Sequence, residues 1–353
     1  MGKVASLKVL KVIKVTEDAI SIHFKQPFLR KIKYTSGQFL TLLVNIDGQI
    51  IRRCYSLNSA PKVDDYVSVT VKRIKDGKVS NHLFNNIKPG DKMSVLLPMG
   101  EFTFTPNKKK KRHIVLFGAG SGITPLISIL KSAIASEPES TVSLIYGNRD
   151  VESIIFNEEL NQYKEKYTDR LNLIHILEKP GDFEDCYKGR VERSQVKGLL
   201  DELPKFPEQD TEYYICGPSG MMNEAEEGLK GCGINGDKVH IEKFSAPPPS
   251  ANESKVVGPF IENREVAIKL KGTTYRVPVK AGTTIMDAAL DENIKLPYVC
   301  MDGICGSCKA KCASGEVFMR NGHVLTQKEI DEQIVLPCIS KPVTNNVVIE
   351  FAS

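Results

Sequence analysis

Hydrophobic and polar residues alternate over roughly the first hundred residues of the chain. The alternation is strictest from Tyr66 to Lys72 and weaker over residues 38–44 and 92–97. A period of two is typical of strands with one buried face, and glycines and prolines separate these segments. The pattern predicts a small antiparallel β-barrel over residues 1–107.

From residue 112 onward the pattern changes to nearly continuous apolar runs. Residues 113–117 form the first run, as expected of a strand that is buried on both faces. Similar runs follow at residues 141–146, 171–177 and 212–216. Helix-like segments separate the runs, and the first extends from Pro125 to Ala135. This alternation predicts an α/β domain with a parallel sheet over residues 108–244.

Residues 245–260 include three consecutive prolines, Pro247 to Pro249. Because proline donates no backbone hydrogen bond and favours extended geometry, we predict a linker here. The remaining residues, 261–353, contain two strand-like segments, at 265–270 and 274–279, and a helical pattern from Thr284 to Asp291. They predict a small α+β domain, so the protein is expected to be multidomain.

The composition is that of a globular protein, with 41% hydrophobic and 26% charged residues among 353. No run reaches the roughly 18 apolar residues that a membrane-spanning helix needs. The net charge of +5 is too small to indicate nucleic-acid binding. The basic run from Lys108 to Arg112 is typical of a solvated linker between domains. Nine cysteines without a secretion signal favour a reducing compartment, so we expect a cytoplasmic protein.

Five of the nine cysteines lie between Cys300 and Cys338, and such clustering indicates a metal site. Cys300, Cys305 and Cys308 follow the spacing Cys-x4-Cys-x2-Cys, and Cys338 lies well beyond them. This is the ligand spacing of plant-type 2Fe–2S clusters, in which four thiolates bind two irons. These four cysteines are therefore the predicted cluster ligands.

Two glycines of the same loop, Gly303 and Gly306, allow the backbone to wrap closely around a cluster. A zinc site is the alternative, since Cys-x2-Cys also occurs there. Zinc sites with four cysteines typically use two such pairs, however, and the second pair is missing here. We expect the remaining cysteine, Cys312, to be a buried residue of the next strand.

Two short motifs in the barrel region have the chemistry of a flavin site. Arg53-Cys54-Tyr55-Ser56, which follows the strand-like residues 49–51, offers a cation for a phosphate, a ring to stack and a hydroxyl group. Gly77-Lys78-Val79-Ser80 begins a predicted helix, where free N–H groups and the helix dipole attract a pyrophosphate. The alternatives are an ordinary barrel strand and a turn before a capped helix.

The loop from Phe117 to Pro125 has the chemistry of a dinucleotide site. It lies between a buried strand and a helix and contains Gly118, Gly120 and Gly122, so its backbone can approach a diphosphate. The alternative is a tight strand-to-helix turn without a ligand.

Two further motifs follow later strands of the same domain. Asn148-Arg149-Asp150 ends one strand, and Arg149 can hold a 2′-phosphate, which favours NADPH. Asp150 leaves NADH possible, and an exposed turn arginine is the alternative. Cys216-Gly217-Pro218-Ser219-Gly220-Met221 ends another strand and begins a helix, where a small residue can lie beside a nicotinamide ring. For Cys216 the alternative is an ordinary core cysteine.

With these motifs in this order, the chain resembles the ferredoxin–NADP reductase superfamily fused to a C-terminal plant-type ferredoxin. It is similar to the reductase subunits of phenylacetyl-CoA epoxidases and related oxygenase reductases. The resemblance covers nearly the whole chain and implies a flavin-binding β-barrel, an NAD(P)-binding α/β domain and a β-grasp ferredoxin domain. The Glu-Arg-Phe ending of the family's second domain is Glu242-Lys243-Phe244 here, so no role for Lys243 is implied.

The resemblance also implies roles for individual residues. Arg53 would contact the flavin phosphates, Tyr55 would stack on the isoalloxazine, and Ser56 would lie near its N5. The FAD pyrophosphate would be held by Gly77, Lys78, Val79 and Ser80. The nicotinamide nucleotide would be held by Gly118, Gly120, Gly122, Thr124, Pro125, Asn148, Arg149, Cys216, Gly217, Pro218 and Met221. Phe244 would lie close to the flavin, and Ser56 and Cys216 are the candidate catalytic residues.

The implied reaction is hydride transfer from NADPH or NADH to FAD, with FMN as the less favoured flavin, followed by single-electron transfer to the 2Fe–2S cluster. The acceptor would be a separate oxygenase component, for instance a di-iron enzyme. One alternative is a non-catalytic interaction protein with a zinc-stabilised C-terminal module. Another is an electron-transfer subunit of a dehydrogenase such as dihydroorotate dehydrogenase, although that group lacks a ferredoxin module.

Overall fold

The computed structural model describes residues 4–27, 31–206, 208–244, 262–301, 303–320 and 324–351. These residues form two compact units, which divide after Phe244. The predicted proline-rich linker, residues 245–260, lies outside the described residues. In the described part of the chain, every helix is too short or too polar to cross a membrane.

Six antiparallel strands and one helix build the first half of the larger unit. They are β1 Val4–Thr16, β2 Ala19–Lys25, β3 Phe39–Ile46, β4 Gln49–Ser56, β5 Tyr66–Lys72, α1 Lys78–Asn86 and β6 Lys92–Met99. The strand order is β4-β3-β6-β1-β2-β5. A bridge between Leu57 and Val69 joins the two ends of this order, so the sheet closes into the predicted barrel. Apolar side chains such as Leu7, Ile22 and Leu42 fill its interior.

The position of the Arg53–Ser56 motif differs from the prediction. We expected the motif to follow a strand that ends near Ile51, but β4 continues through Ser56. The reason is the pairing with β3, in which Tyr55 is opposite Leu40 and Ser56 is opposite Phe39. The motif is therefore held by a backbone ladder instead of a loop.

Six parallel strands with helices build the second half of the larger unit. The strands are β7 Arg112–Ala119, β8 Thr141–Asn148, β9 Leu171–Leu177, β10 Cys186–Lys188, β11 Asp210–Cys216 and β12 Val239–Glu242. The helices are α2 Ile123–Ser136, α3 Asn157–Lys166, α4 Arg193–Glu202 and α5 Ser219–Gly231. The strand order is β10-β9-β8-β7-β11-β12, so the order reverses between β7 and β11. In open α/β sheets, ligands bind at the carboxyl ends of the strands at this point.

The basic run Lys108–Arg112 is only in part the solvated linker that we predicted. Its lysines are exposed, but Arg112 begins β7 and is 4% exposed. The guanidinium group pairs with the buried carboxylate of Glu137 and lies 3.1 Å from Glu212 Oε1. Buried carboxylates need such a partner because burial removes their hydration.

The barrel and the nucleotide domain share one hydrophobic core. Phe102 and Phe104, which follow β6, pack with Leu126 and Leu130 of α2 and with Tyr214 of β11. The larger unit is therefore continuous across the two domains.

The smaller unit is an α+β fold of the β-grasp type. Its elements are β13 Arg264–Leu270, β14 Thr273–Val279, α6 Ile285–Asp291, β15 Ala310–Ser314, β16 Val317–Met319, α7 Gln327–Asp331, β17 Ile334–Val335, β18 Ser340–Pro342 and β19 Val348–Glu350. Five strands form a mixed sheet in the order β14-β13-β19-β15-β17, and β16 pairs with β18. Apolar residues of α6, among them Ile285 and Met286, pack on this sheet.

Candidate functional site

A cavity of about 660 Å³ lies at the carboxyl edge of the parallel sheet, beside the point where the strand order reverses. Five of the predicted nucleotide-binding residues line it, namely Gly120, Asn148, Arg149, Pro218 and Met221. Its size and position are those of a cofactor site.

The glycine loop of this cavity is built by close contact between β11 and the start of α2. A Cβ atom at Gly122 would overlap the carbonyl oxygen of Cys216, so only glycine fits there. The hydroxyl of Tyr146 donates a hydrogen bond of 2.9 Å to the carbonyl oxygen of Gly120. These contacts fix the loop that the sequence predicted to approach a diphosphate.

The helix after this loop begins two residues earlier than we predicted, at Ile123 instead of Pro125. A single 3-10 turn over Gly120–Gly122 leads into it. Thr124 and Pro125 are buried in the first turn, and the Thr124 hydroxyl donates to the carbonyl oxygen of Ser121 at 3.0 Å. Their side chains thus stabilise the loop from within.

Asn148 supplies an observation that points to a polar ligand. Its side chain is 9% exposed and lines the cavity. Its Nδ2 atom is buried and has no hydrogen-bond partner among the described residues. An unsatisfied buried donor costs about 1–3 kcal/mol, which a hydrogen bond to a bound nucleotide would offset.

Two arginines that line the cavity, Arg149 and Arg190, are each paired with a carboxylate. Arg149 Nε lies 2.7 Å from Asp150 Oδ2, and this hydrogen bond lowers the pKa of Asp150. Arg190 Nε lies 2.9 Å from Glu178 Oε1. Neither Arg190 nor Glu178 was predicted from the sequence. Glu178 could have been found, because it directly follows β9 as Arg149 follows β8.

Cys216 and Glu242 end neighbouring strands of the same sheet. Cys216 is fully buried and pairs in register with Gly118 of β7 on one side and with Glu242 of β12 on the other. The sequence did not single out Glu242 for a role. Phe244, two residues later, is partly buried and packs on the core that the barrel and the nucleotide domain share.

In the Arg53–Ser56 motif one residue is exposed and the other three are partly or fully buried. Arg53 is exposed, and its Nη1 donates to the carbonyl oxygen of Arg52 at 2.7 Å. Burial raises the pKa of Tyr55 above its ordinary value, so the phenol keeps its proton. Ser56 is 5% exposed. A cation, a ring and a hydroxyl along one strand are suitable groups for a flavin and its phosphates.

The Gly77–Ser80 motif places its backbone at the start of α1, as predicted. The side chain of Val79 belongs to the barrel core, and the Ser80 hydroxyl accepts a hydrogen bond of 3.1 Å from Ile74 N. These two residues can therefore reach a ligand only through their backbone. Within the described residues, no side chain caps α1 and no acidic residue lies in its first turn, so its N–H groups suit an anion.

The four predicted cluster ligands lie together in the smaller unit. Cys300, Cys308 and Cys338 are buried, and the Sγ atoms of Cys308 and Cys338 are 3.3 Å apart. Hydrogen bonds with Cys300 and Cys308 raise the pKa of Cys338, and a hydrogen bond with Cys300 raises that of Cys305. Thiolates packed in this way repel one another unless cations join them. This donor set suits the irons of a 2Fe–2S cluster.

The loop between the ligands has the conformation that its glycines allow. Gly303 has φ +78°, and a Cβ atom there would lie 2.6 Å from Ile339 Cδ1. The fifth cysteine of the region, Cys312, lies in β15 and packs in the core at 6% exposure, as we predicted.

Three family models match the chain in order. The oxidoreductase FAD-binding domain matches residues 6–104, the oxidoreductase NAD-binding domain matches residues 116–227, and the 2Fe–2S iron–sulfur cluster binding domain matches residues 268–343. These matches confirm the predicted flavin, nicotinamide nucleotide and cluster, and they remove the support for the zinc alternative.

Known proteins resemble the chain over its whole length. It is 35% identical to one of the subunits of 1,2-phenylacetyl-CoA epoxidase from Escherichia coli (strain K12), over 98% of this chain and 97% of that protein. It is 38% identical to the ferredoxin reductase component of 3-ketosteroid-9-alpha-monooxygenase from Rhodococcus rhodochrous, over 98% and 96%. The structure of phthalate dioxygenase reductase matches with a TM-score of 0.67 and 24% identity, over 99% of this chain and 98% of that one.

Proposed function

This chain belongs to the ferredoxin–NADP reductase superfamily, in the group with a C-terminal 2Fe–2S domain, and from that premise we propose that it supplies electrons to a separate oxygenase component. It is an NAD(P)H-dependent oxidoreductase of the ferredoxin reductase type. The bound cofactors supply the two-electron and one-electron chemistry, and the protein supplies binding and orientation.

The observation that carries the proposal is the grouping of four thiols on the same chain as the nucleotide cavity. A reductase that ends in its own 2Fe–2S domain releases electrons one at a time, as oxygenases require. Because the Escherichia coli relative is part of a phenylacetyl-CoA epoxidase, an epoxidase of that kind, with a di-iron centre, is the first acceptor to test.

Each domain receives its own set of site residues. Arg53, Tyr55 and Ser56 contact the flavin, and the backbone from Gly77 to Ser80 binds its pyrophosphate. The nucleotide is bound by the glycine loop Gly118–Pro125, by Asn148 and Arg149, and by the segment Cys216–Met221. Ser56 and Cys216 lie at the reacting atoms, with Phe244 nearby. The cluster is bound by Cys300, Cys305, Cys308 and Cys338.

The remaining assignments concern boundaries, nucleotide and location. We propose domains at residues 1–107, 108–244 and 261–353, with a linker at 245–260. NADPH is the proposed reductant, because Arg149 lines the cavity and 62% of its side chain is exposed. A cytoplasmic location is proposed because no disulfide joins the cysteines of the described residues.

The experiment compares two cysteine variants of the full chain purified without oxygen. Cys305→Ser should lower iron and sulfide content and slow cytochrome c reduction by more than about tenfold, while NADPH still bleaches the flavin. Cys312→Ser is the matched control and should keep the cluster, because Cys312 lies in the core of β15. Full cytochrome c reduction by a cluster-free Cys305→Ser protein would exclude the proposed electron path. Adding the candidate oxygenase and its substrate tests the acceptor directly, through product formation that needs this chain.

A further inference from the structure

Lys131 is a buried cation where the nucleotide domain meets the barrel. It lies on α2, and its side chain is 3% exposed. Its Nζ atom lies 2.5 Å from Glu159 Oε1 of α3 and 3.5 Å from Asp64 Oδ2, in the segment between β4 and β5. An ammonium group buried this deeply is stable only where carboxylates compensate for its lost hydration. The two carboxylates therefore fix the side chain in one place.

Two serines extend this contact along the same face of α2. Residues 128, 131 and 132 share that face, since positions three and four apart are neighbours on a helix. Ser128 Oγ donates to the carbonyl oxygen of Ser59 at 2.6 Å, and Ser132 Oγ lies 2.6 Å from Ser36 Oγ. Both partners belong to the barrel. The helix is thus held to the barrel by buried polar contacts as well as by the shared apolar core.

This connection joins the segment that follows the flavin motif to the helix that follows the nucleotide loop. Ser59 lies three residues after Ser56, and its own hydroxyl is held by Tyr34 Oη at 2.7 Å and by Ser68 N at 3.0 Å. At its other end, α2 begins at Ile123, directly after the glycine loop. A displacement of α2 would therefore move the nucleotide loop relative to the flavin motif.

We propose that Lys131, through Asp64, is a positioning residue for hydride transfer between the nicotinamide nucleotide and the flavin. The reaction needs its atoms about 3–3.5 Å apart, and a displacement of about 1 Å can cost about a hundredfold in rate. Of the two carboxylates, Asp64 belongs to the barrel, whereas Glu159 belongs to the nucleotide domain, as Lys131 does. Of the two carboxylate contacts of Lys131, the one with Asp64 spans the two domains and the one with Glu159 does not. The inference rests on the proposed function, because it requires the flavin and nucleotide sites assigned there.

The test uses the full chain loaded with flavin and cluster, and three variants: Lys131→Met, Asp64→Asn and Glu159→Gln. Anaerobic stopped-flow measurements give the limiting rate of flavin reduction, the nucleotide dissociation constant and the long-wavelength charge-transfer absorbance of the nucleotide–flavin complex. Lys131→Met and Asp64→Asn should lower the limiting rate about 10- to 100-fold and weaken the absorbance. Flavin content and the dissociation constant should stay within about twofold.

Glu159→Gln is the matched control, because it removes the other carboxylate and keeps the contact between domains. It should lower the unfolding temperature but leave the limiting rate within about twofold. Wild-type rates and absorbance in Lys131→Met and Asp64→Asn would overturn the inference, as would equal losses in Asp64→Asn and Glu159→Gln.

Two further outcomes keep the test decisive. If Lys131→Met does not fold, Asp64→Asn decides the question, because it keeps the Lys131–Glu159 pair. If neither NADPH nor NADH reduces the flavin of the wild-type protein, the proposed function itself is contradicted. If the wild type is active and the variants are equally active, only the role of Lys131 and Asp64 is contradicted.

Discussion

Cys216 and Glu242 pair in register on the parallel strands β11 and β12, at the carboxyl edge of the nucleotide-binding sheet. Burial raises the pKa of the Cys216 thiol, and the nearby Glu242 carboxyl adds to the effect. Burial also raises the pKa of Glu242 to about 8, with a further contribution from Glu101. Both groups therefore keep their protons at neutral pH, and the sheet presents an uncharged edge where we place the nicotinamide ring.

Glu242 should make the larger unit less stable as the pH rises. Its folded pKa of about 8 lies above the ordinary value of 4.5, so the folded protein keeps a proton that the unfolded chain releases between these values. The stabilisation is full below about pH 4.5 and is lost as the pH rises through about 8. Because the side chain is partly exposed, we expect an effect on the order of 1–2 kcal/mol in the free energy of unfolding.

This expectation can be checked by unfolding the wild type and Glu242→Gln in urea, with the release of flavin as the signal for unfolding. The two proteins should differ little near pH 4, where the carboxyl is mostly neutral in both the folded and the unfolded state. Between pH 5 and 8 the wild type should lose more stability than the variant. Identical slopes in the two proteins would show that Glu242 does not carry the effect.

His113 should make the larger unit less stable as the pH falls. Its Nε2 lies 2.8 Å from Ser143 Oγ, and burial, followed by Lys205, lowers the pKa of the ring to about 4. The unfolded chain binds a proton near pH 6.5, so the stabilisation is present above that pH and is lost as the pH falls towards 4. Between pH 7 and pH 5 the free energy of unfolding should therefore decrease in both proteins, and the decrease should be about 1 kcal/mol smaller in His113→Asn than in the wild type. A loss equal to that of wild type would contradict the assignment.

Regular patterns predicted the elements that depend on local sequence. The strand from Tyr66 to Lys72 and the run at residues 171–177 coincide with β5 and β9, because period and apolar content are properties of the segment itself. The cysteine spacing and the glycine loop are also local patterns, and the structure groups the four thiols and places the loop between β7 and α2.

Features that depend on distant partners could not be predicted in this way. Arg112 looked like the end of a solvated basic run, and its burial follows from Glu137 and Glu212, which lie 25 and 100 residues away in the sequence. Lys131 lies in a helix whose apolar character was evident, but its two carboxylate partners come from separate elements. The sequence shows a charge in each case, and only the fold shows what compensates it.

Gly303 should be essential for cluster assembly. Any other residue there would adopt an unfavourable positive φ, and its Cβ atom would press on Ile339. Gly303→Ala should therefore lower iron and sulfide per chain by at least about half. The left-handed backbone alone would cost about 1–2 kcal/mol with any other residue, and the contact with Ile339 adds to that cost. Gly282→Ala is the matched control, since Gly282 has φ +79° in the same unit but open space around its Cβ position. Equal cluster contents in the two variants would mean that the contact with Ile339 has no influence.

Arg149 should determine the preference between the two nucleotides. Arg149 lines the cavity, and its Nε donates to Asp150, which leaves the other guanidinium nitrogens as donors for a 2′-phosphate. Arg149→Gln should raise the dissociation constant of NADPH about tenfold, equivalent to about 1.4 kcal/mol, and should change that of NADH less than about twofold. NADH is thus the control for NADPH, because the two nucleotides differ only in that phosphate.

Added salt should weaken NADPH binding to the wild type more than to the variant, since screening acts on the exposed charge pair. If both nucleotides weaken equally, Arg149 contacts a part that they share, and the choice between them must be made by another cation of the cavity such as Arg190.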